Sequence, residues 1–327
     1  SHFPLAWTIL IAGIIQLFLL LVNIEFLKSL YQFSFRTFLI LNSVLKIFFK
    51  RFLFSIFGSG IVQLNIFISM LFASLVGEGA ISHIYYADRI IDLPFALIAV
   101  AMTFTLLPYL SKNISDEEKN ANAFNQTIIF CFIFAIPCSF ALFFISEDII
   151  TVLFGRGEFM SKDILITSNL LVIYSFSLPG YMISRICNQV FYSYERVDLP
   201  IKASLPTFFL NLILCFSFYR SMGVYGLAIA GAASVWLNVF IQVLFLKIYF
   251  AKFYKKINLL DIVKITKIFT SSSIMILTIL SLKYFLNINI YIDLGILMAV
   301  GISLYFIFLK ILGLKEYRLI YKSFRFN

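Results

Sequence analysis

Histidine is nearly absent: His2 and His83 are the whole supply, and the four cysteines at 131, 138, 187 and 215 sit in apolar runs with no C-x-x-C pair. A metal site or catalytic triad built from these residue types has almost no raw material, and the cysteines read as small packing residues. Charge is scarce too, at 13% of 327 residues, against about 25% in ordinary soluble domains. With 61% of residues hydrophobic, a water-soluble globular chain is excluded. From Ser1 the chain runs through Phe3-Pro4 into an apolar stretch with no basic n-region, so no signal peptide is expected.

What is present is hydrophobic length. A bilayer core about 30 Å thick needs roughly 20 apolar residues at 1.5 Å rise each. That ruler predicts nine spans, at about 5–23, 52–77, 83–111, 123–145, 164–191, 204–220, 224–249, 267–286 and 292–312. The fold class expected is therefore all-α, a polytopic membrane helix bundle. Prolines at 94, 108, 137, 179 and 206 interrupt several spans, which is tolerated where neighbours re-satisfy the freed carbonyls.

Lysine and arginine set the orientation. One set of connecting segments carries 20 of them and the opposite set carries four, Arg156, Lys162, Arg220 and Lys283, while Arg89 and Arg185 fall inside spans. The basic side is expected to be cytoplasmic, with Ser1 outside (periplasmic) and Asn327 inside. The formal net charge of +10 is then a matter of topology and requires no nucleic acid. Residues 36–51 read either as an amphipathic helix on the inner leaflet or as a helical linker, and 250–267 and 313–327 as basic collars toward anionic membrane lipids.

Within this apolar background, Tyr85-Tyr86-Ala87-Asp88-Arg89-Ile90-Ile91-Asp92-Leu93-Pro94 places three charges in one span. At 100° per residue, Tyr85, Asp88, Arg89 and Asp92 share a sector about 100° wide, which Ala96, Ala99 and Thr103 continue. Ile90, Ile91, Leu97 and Ile98 lie opposite. The polar sector should look onto protein or water. Arg89 lies some 9 Å inside the outer end of its span by the helical rise, where an arginine costs up to about 3 kcal/mol. Either Arg89 and Asp92 neutralise each other at i,i+3, or the guanidinium is kept for a phosphate or carboxylate of a passing anion, with Asp88 and Asp92 steadying it.

Other intramembrane polar positions are less specific. Ser59, Gly60, Gln63 and Ser74 share a face suited either to a cavity lining or to close helix contact. Arg185 either lines the cavity or extends toward headgroups at the inner end of its helix.

The run from Gly58 to Pro108, with YYADR, then LP, then a distal LLP, resembles the MurJ/MviN family of lipid II flippases within the larger superfamily of multidrug and polysaccharide exporters. LFGRGEF (Leu153 to Phe159), FYSYERVDLPIK (Phe191 to Lys202) and GVYGLAIAGAAS (Gly223 to Ser234) resemble three further family segments. The resemblance covers about residues 5–312. It implies two six-helix lobes and two trailing helices, of which this sequence matches residues 1–51 as the last helix of the first lobe with a cytoplasmic linker. Residues 52–250 match the second lobe, and 251–327 the trailing pair with a basic tail. The remainder of the first lobe would be a partner supplied by the same longer protein.

The resemblance implies a transporter of the bacterial inner membrane and not an enzyme. Its substrate would be lipid II, an undecaprenyl diphosphate bearing a disaccharide-peptide, and Arg89, Asp88, Asp92 and Tyr85 would be the substrate-binding residues. It implies no cofactor, with the membrane potential or an ion gradient as energy source. The sequence departs from the family at YERVDLP, and where some members carry acidic residues linked to sodium binding it has Ser69 and Cys215, which gives no support to cation coupling there. The alternative readings are another exporter of the superfamily or a non-transporting fragment.

Overall fold

The computed structural model describes residues 3–23, 60–61, 63–258, 261–286 and 289–314, and among these there are helices and turns but no strand. The chain divides into two compact units, Ser1–Ile56 and Phe57–Asn327. In the first, α1 (Phe3–Asn23) is apolar along its length, with the side chains from Leu10 to Leu19 exposed. The segment 36–51, Ser59 and the tail from 315 lie outside the described residues.

The second unit begins with α2 (Gln63–Val76). It continues with α3 (Ala80–Pro94), a π-helical segment (Phe95–Val100) and α4 (Ala101–Lys112). Next come α5 (Glu117–Phe144), α6 (Ser146–Phe154), α7 (Ser161–Ser175), α8 (Leu178–Ser193) and α9 (Asp198–Phe218). The rest is α10 (Gly223–Tyr249), α11 (Ala251–Lys256), α12 (Ile262–Phe285) and α13 (Ile290–Ile311). Among the described residues six runs are long and apolar enough to span a bilayer: Ala80–Lys112, α5, α9, α10, α12 and α13. The pair α7 and α8, bent by 45°, makes a seventh, and α2 and Leu10–Leu19 are shorter apolar helices. Each of the nine expected spans has a helical counterpart here, the second over its described part only. The short helices α6 and α11 were not expected, because each is too brief to register against a membrane-length ruler.

α5 is the pivot of the second unit. Over its most apolar stretch 56% of residues are buried, where the other spans bury 28–33%, and it packs against α4, α7, α8, α11 and α12. Phe124, Ile128 and Ile133 are fully enclosed. Asp116 starts the helix by accepting a hydrogen bond from the Lys119 N–H at 3.0 Å, an N-cap reinforced by Glu117 and Glu118 in the first turn. Buried Asn120 donates to the carbonyls of Leu110 and Asn113, which closes the α4–α5 corner.

The break between α7 and α8 follows from Pro179, which has no N–H to give the preceding turn. Trp236 of α10 donates its indole N–H to the Phe176 carbonyl at 3.1 Å, supplying one of the partners that a bent span needs in an apolar medium. At the trailing pair, a Cβ on Gly301 would lie 2.6 Å from the Ile279 side chain, so α12 and α13 approach at a distance only glycine permits. Tyr305 donates to the Ile133 carbonyl at 2.5 Å and ties α13 to α5.

Candidate functional site

The charged stripe sits on α3, which is launched from a tight turn. Gly79 has φ +79°, a left-handed backbone that side-chain-bearing residues rarely adopt, and it turns the chain from α2 into Ala80. On α3 the apolar side, Ile84, Ala87, Ile90 and Ile91, is buried against the unit. Tyr85, Asp88, Arg89, Asp92 and Ala96 are exposed. The unit therefore presents its intramembrane charges on an open face.

Ala99 and Thr103, expected to continue that sector, are buried instead. The cause is the π-helical segment after Pro94. Bonding i to i+5 winds each residue through less than 100°, so the polar sector rotates away from α4 before Ala99 is reached. Pro94 acts here as a register shift rather than as a simple kink.

The Arg89 side chain is 59% exposed, its Nη1 lies 3.7 Å from Asp92 Oδ2, and its guanidinium carbon lies 4.6 Å over the Tyr85 ring. A separation of 3.7 Å is too long for a hydrogen bond, and an open pair of this kind contributes little. The mutual-neutralisation reading is therefore weak. Among the described residues Arg89 makes no hydrogen bond, so its planar fork of donors stays available.

The structure adds a residue that the charge pattern missed. Tyr181 of α8 packs its ring 5.9 Å from that of Phe95, three residues after Asp92. Four residues on, Arg185 is exposed on the same side of α8, as is Tyr192. The spacing 181, 185, 192 at helical period was the available signal. Gly60 is half-buried and Gln63 exposed at the start of the second unit, and among the described residues no hydrogen bond or ring contact joins either to Arg89.

Ser69 of α2 and Cys215 of α9 do converge, through Asn211. Its amide donates to Asn65 Oδ1 at 2.6 Å and to Ser69 Oγ at 3.3 Å, and its Oδ1 accepts from the Cys215 thiol at 3.5 Å. This donor set has no carboxylate, and its acceptors are engaged by one another. It fits an interhelical polar clamp better than a cation site.

At the opposite end of α8 the departing YERVDLP segment is a charge-locked corner. Glu195 has φ +57°. Arg196 donates to Asp198 through Nε at 2.9 Å and Nη2 at 3.2 Å, and Lys202 donates to the same carboxylate at 2.8 Å. The Arg196 guanidinium carbon lies 4.8 Å over the Tyr249 ring of α10. These residues fix the α8–α9 turn.

Residues 1–297 match the family described as Lipid II flippase MurJ. The chain is 34% identical over 238 residues to a probable lipid II flippase MurJ of Aquifex aeolicus (strain VF5), covering 72% of this chain and 46% of that protein. A protein of the same description from Bdellovibrio bacteriovorus is 32% identical over 247 residues, 75% and 47% of the two chains. The chain thus spans about half the length of the curated relatives it matches. A solved structure described as lipid II flippase MurJ in an inward closed conformation superposes with a TM-score of 0.69 at 26% identity, covering 89% of this chain and 56% of that one. An outward-facing multidrug transporter of the MATE family shares the fold alone, with a TM-score of 0.50 at 13% identity over 70% of this chain and 52% of the other.

Proposed function

The chain belongs to the lipid II flippase MurJ family, and from that premise we propose that it forms one wall of a transporter for a lipid-linked, diphosphate-bearing peptidoglycan precursor. The observation that carries this reading is the open guanidinium of Arg89 on an intramembrane polar face. A planar, permanently charged fork held at membrane depth without a locking carboxylate suits a phosphate oxygen that arrives and leaves. Asp88 and Asp92 keep the empty face near neutral, and Tyr85 and Tyr181 flank it with phenolic hydroxyls. Arg185, one turn along α8 from Tyr181, offers a second positive charge toward the basic end of the helix.

In this reading residues 1–51 are the last helix of a first lobe and its linker, 52–250 the second lobe, and 251–327 the trailing pair with its tail. The two lobes rock around a site within the bilayer, while the polyprenyl tail stays in lipid because only the polar head is barred from hydrocarbon. The basic ends, including the Arg196–Lys202 corner, face the cytoplasm, and the loop carrying Arg156 faces outward. An inside-negative potential then favours outward movement of the head. Two charges crossing 100 mV gain about 5 kcal/mol.

The test is complementation of a flippase-depleted bacterium by the full-length protein with and without Arg89→Ala. The intact protein is expected to restore growth and the alanine variant to fail. Normal growth with a stably produced alanine variant refutes the clamp.

A further inference from the structure

Beside the start of α3 lies a cavity of about 500 Å³ that the Arg89 site does not use. Its floor is aromatic: the Tyr86 ring lies 4.6 Å from that of Phe154 and 5.6 Å, edge-on, from that of Phe159. One wall is His83, only 6% exposed. Its Nδ1 lies 3.0 Å from Thr167 Oγ1 and its Nε2 lies 3.5 Å from Asp163 Oδ1. Asp163 also accepts the Met160 N–H at 2.9 Å, which fixes the start of α7 and holds the loop over the cavity. Ser82, Arg156 and Glu158 form an exposed rim.

The chemistry of this lining discriminates among ligands. An acyl chain has no use for a charged, hydroxylated rim. Ring faces beside carboxylate, hydroxyl and guanidinium groups suit a neutral polyol with an apolar face and hydroxyl edges, and the volume lies within the range of small-ligand sites. Position supports the same class. Ser82 precedes Arg89 by seven residues, so the two share a side of α3 about 10 Å apart by the helical rise, and Tyr86 is one turn from Arg89. A sugar joined to a phosphate at Arg89 reaches this cavity without leaving the helix surface.

We propose that the cavity framed by Ser82, His83, Tyr86, Phe159 and Asp163 is a saccharide subsite, holding the sugar next to the diphosphate. The inference rests on the Arg89 reading and deepens it. The test uses the full-length protein in lipid nanodiscs and three probes: undecaprenyl diphosphate, the same lipid bearing its saccharide without peptide, and the complete head group. The saccharide is expected to tighten binding about tenfold. Ser82→Trp, which obstructs the rim of the cavity, and Tyr86→Ala, which removes its floor, are expected to erase that gain while binding of the bare diphosphate lipid stays at the wild-type level. That retained binding is also the folding control, and if Tyr86→Ala loses it, Ser82→Trp decides alone. A gain that survives Ser82→Trp, or that appears only when peptide is present, overturns the subsite and leaves the Arg89 reading standing. A bare diphosphate lipid that does not bind, or that binds equally to Arg89→Ala, overturns both.

Discussion

At the scale of single residues, the argument turns on what Arg89 lacks. Its partner Asp92 stands 3.7 Å away, so removing the guanidinium leaves no strong pair broken, and the loss should fall on ligand binding rather than on folding. Arg89→Ala is expected to weaken binding of a diphosphate lipid by about 30-fold, the equivalent of about 2 kcal/mol for a charge-assisted contact, with thermal stability of the detergent-solubilised protein unchanged. Arg89→Lys should fall between the two, because it keeps the charge and loses the fork. A different residue, Asp116, governs a pH effect. Its hydrogen bonds with Lys119, first the backbone N–H and then the ammonium, hold its carboxyl below the usual carboxylate range. A depressed value means that the cap's stabilisation is complete above the ordinary carboxylate pKa and is lost as pH falls through the lower, folded value. Thermal melts from pH 6 down to about pH 3 should therefore show a shallower decline for Asp116→Asn than for the native protein. Equal slopes would remove this cap from the acid response.

At the scale of elements, helix existence was legible and helix phase was not. Hydrophobic length alone located α5, α10, α12 and α13, because an apolar run of that size has few other stable forms. The sector on α3 is open through Asp92 and Ala96 and turns into the protein from Ala99, a change that left no mark in composition beyond Pro94. Tyr181 escaped because the 181, 185, 192 spacing stands out weakly in an aromatic-rich chain, and its place beside Phe95 comes from tertiary packing. Gly301 illustrates a constraint visible only in three dimensions. Its missing Cβ is where Ile279 sits, so Gly301→Leu should force α12 and α13 apart at a cost of about 1–3 kcal/mol. The expected readout is a lowered melting temperature of the purified protein. An unchanged melting temperature would mean that the two helices separate freely in the bilayer.

At the scale of the whole molecule, the proposed function makes the polar face of α3 and the stripe on α8 one side of a passage, since charges left open to lipid are costly. Among the exposed side chains of the second unit are Arg89, Asp92, Tyr181 and Arg185, which a bundle facing lipid on every side would not present. In that reading a facing lobe and a water-filled gap would meet these groups, and both require a defined orientation of the chain. The loop with Arg156 and Glu158 lies at one end of the bent α7–α8 span, and the Arg196–Asp198–Lys202 corner lies at the other. In a full-length protein whose native cysteines are replaced, a cysteine at position 158 should react with a membrane-impermeant maleimide added to intact spheroplasts, and one at position 202 only after the membrane is opened. The reverse pattern would turn the passage over. Arg185 would then meet the substrate from outside, and the potential would oppose outward movement of an anionic head.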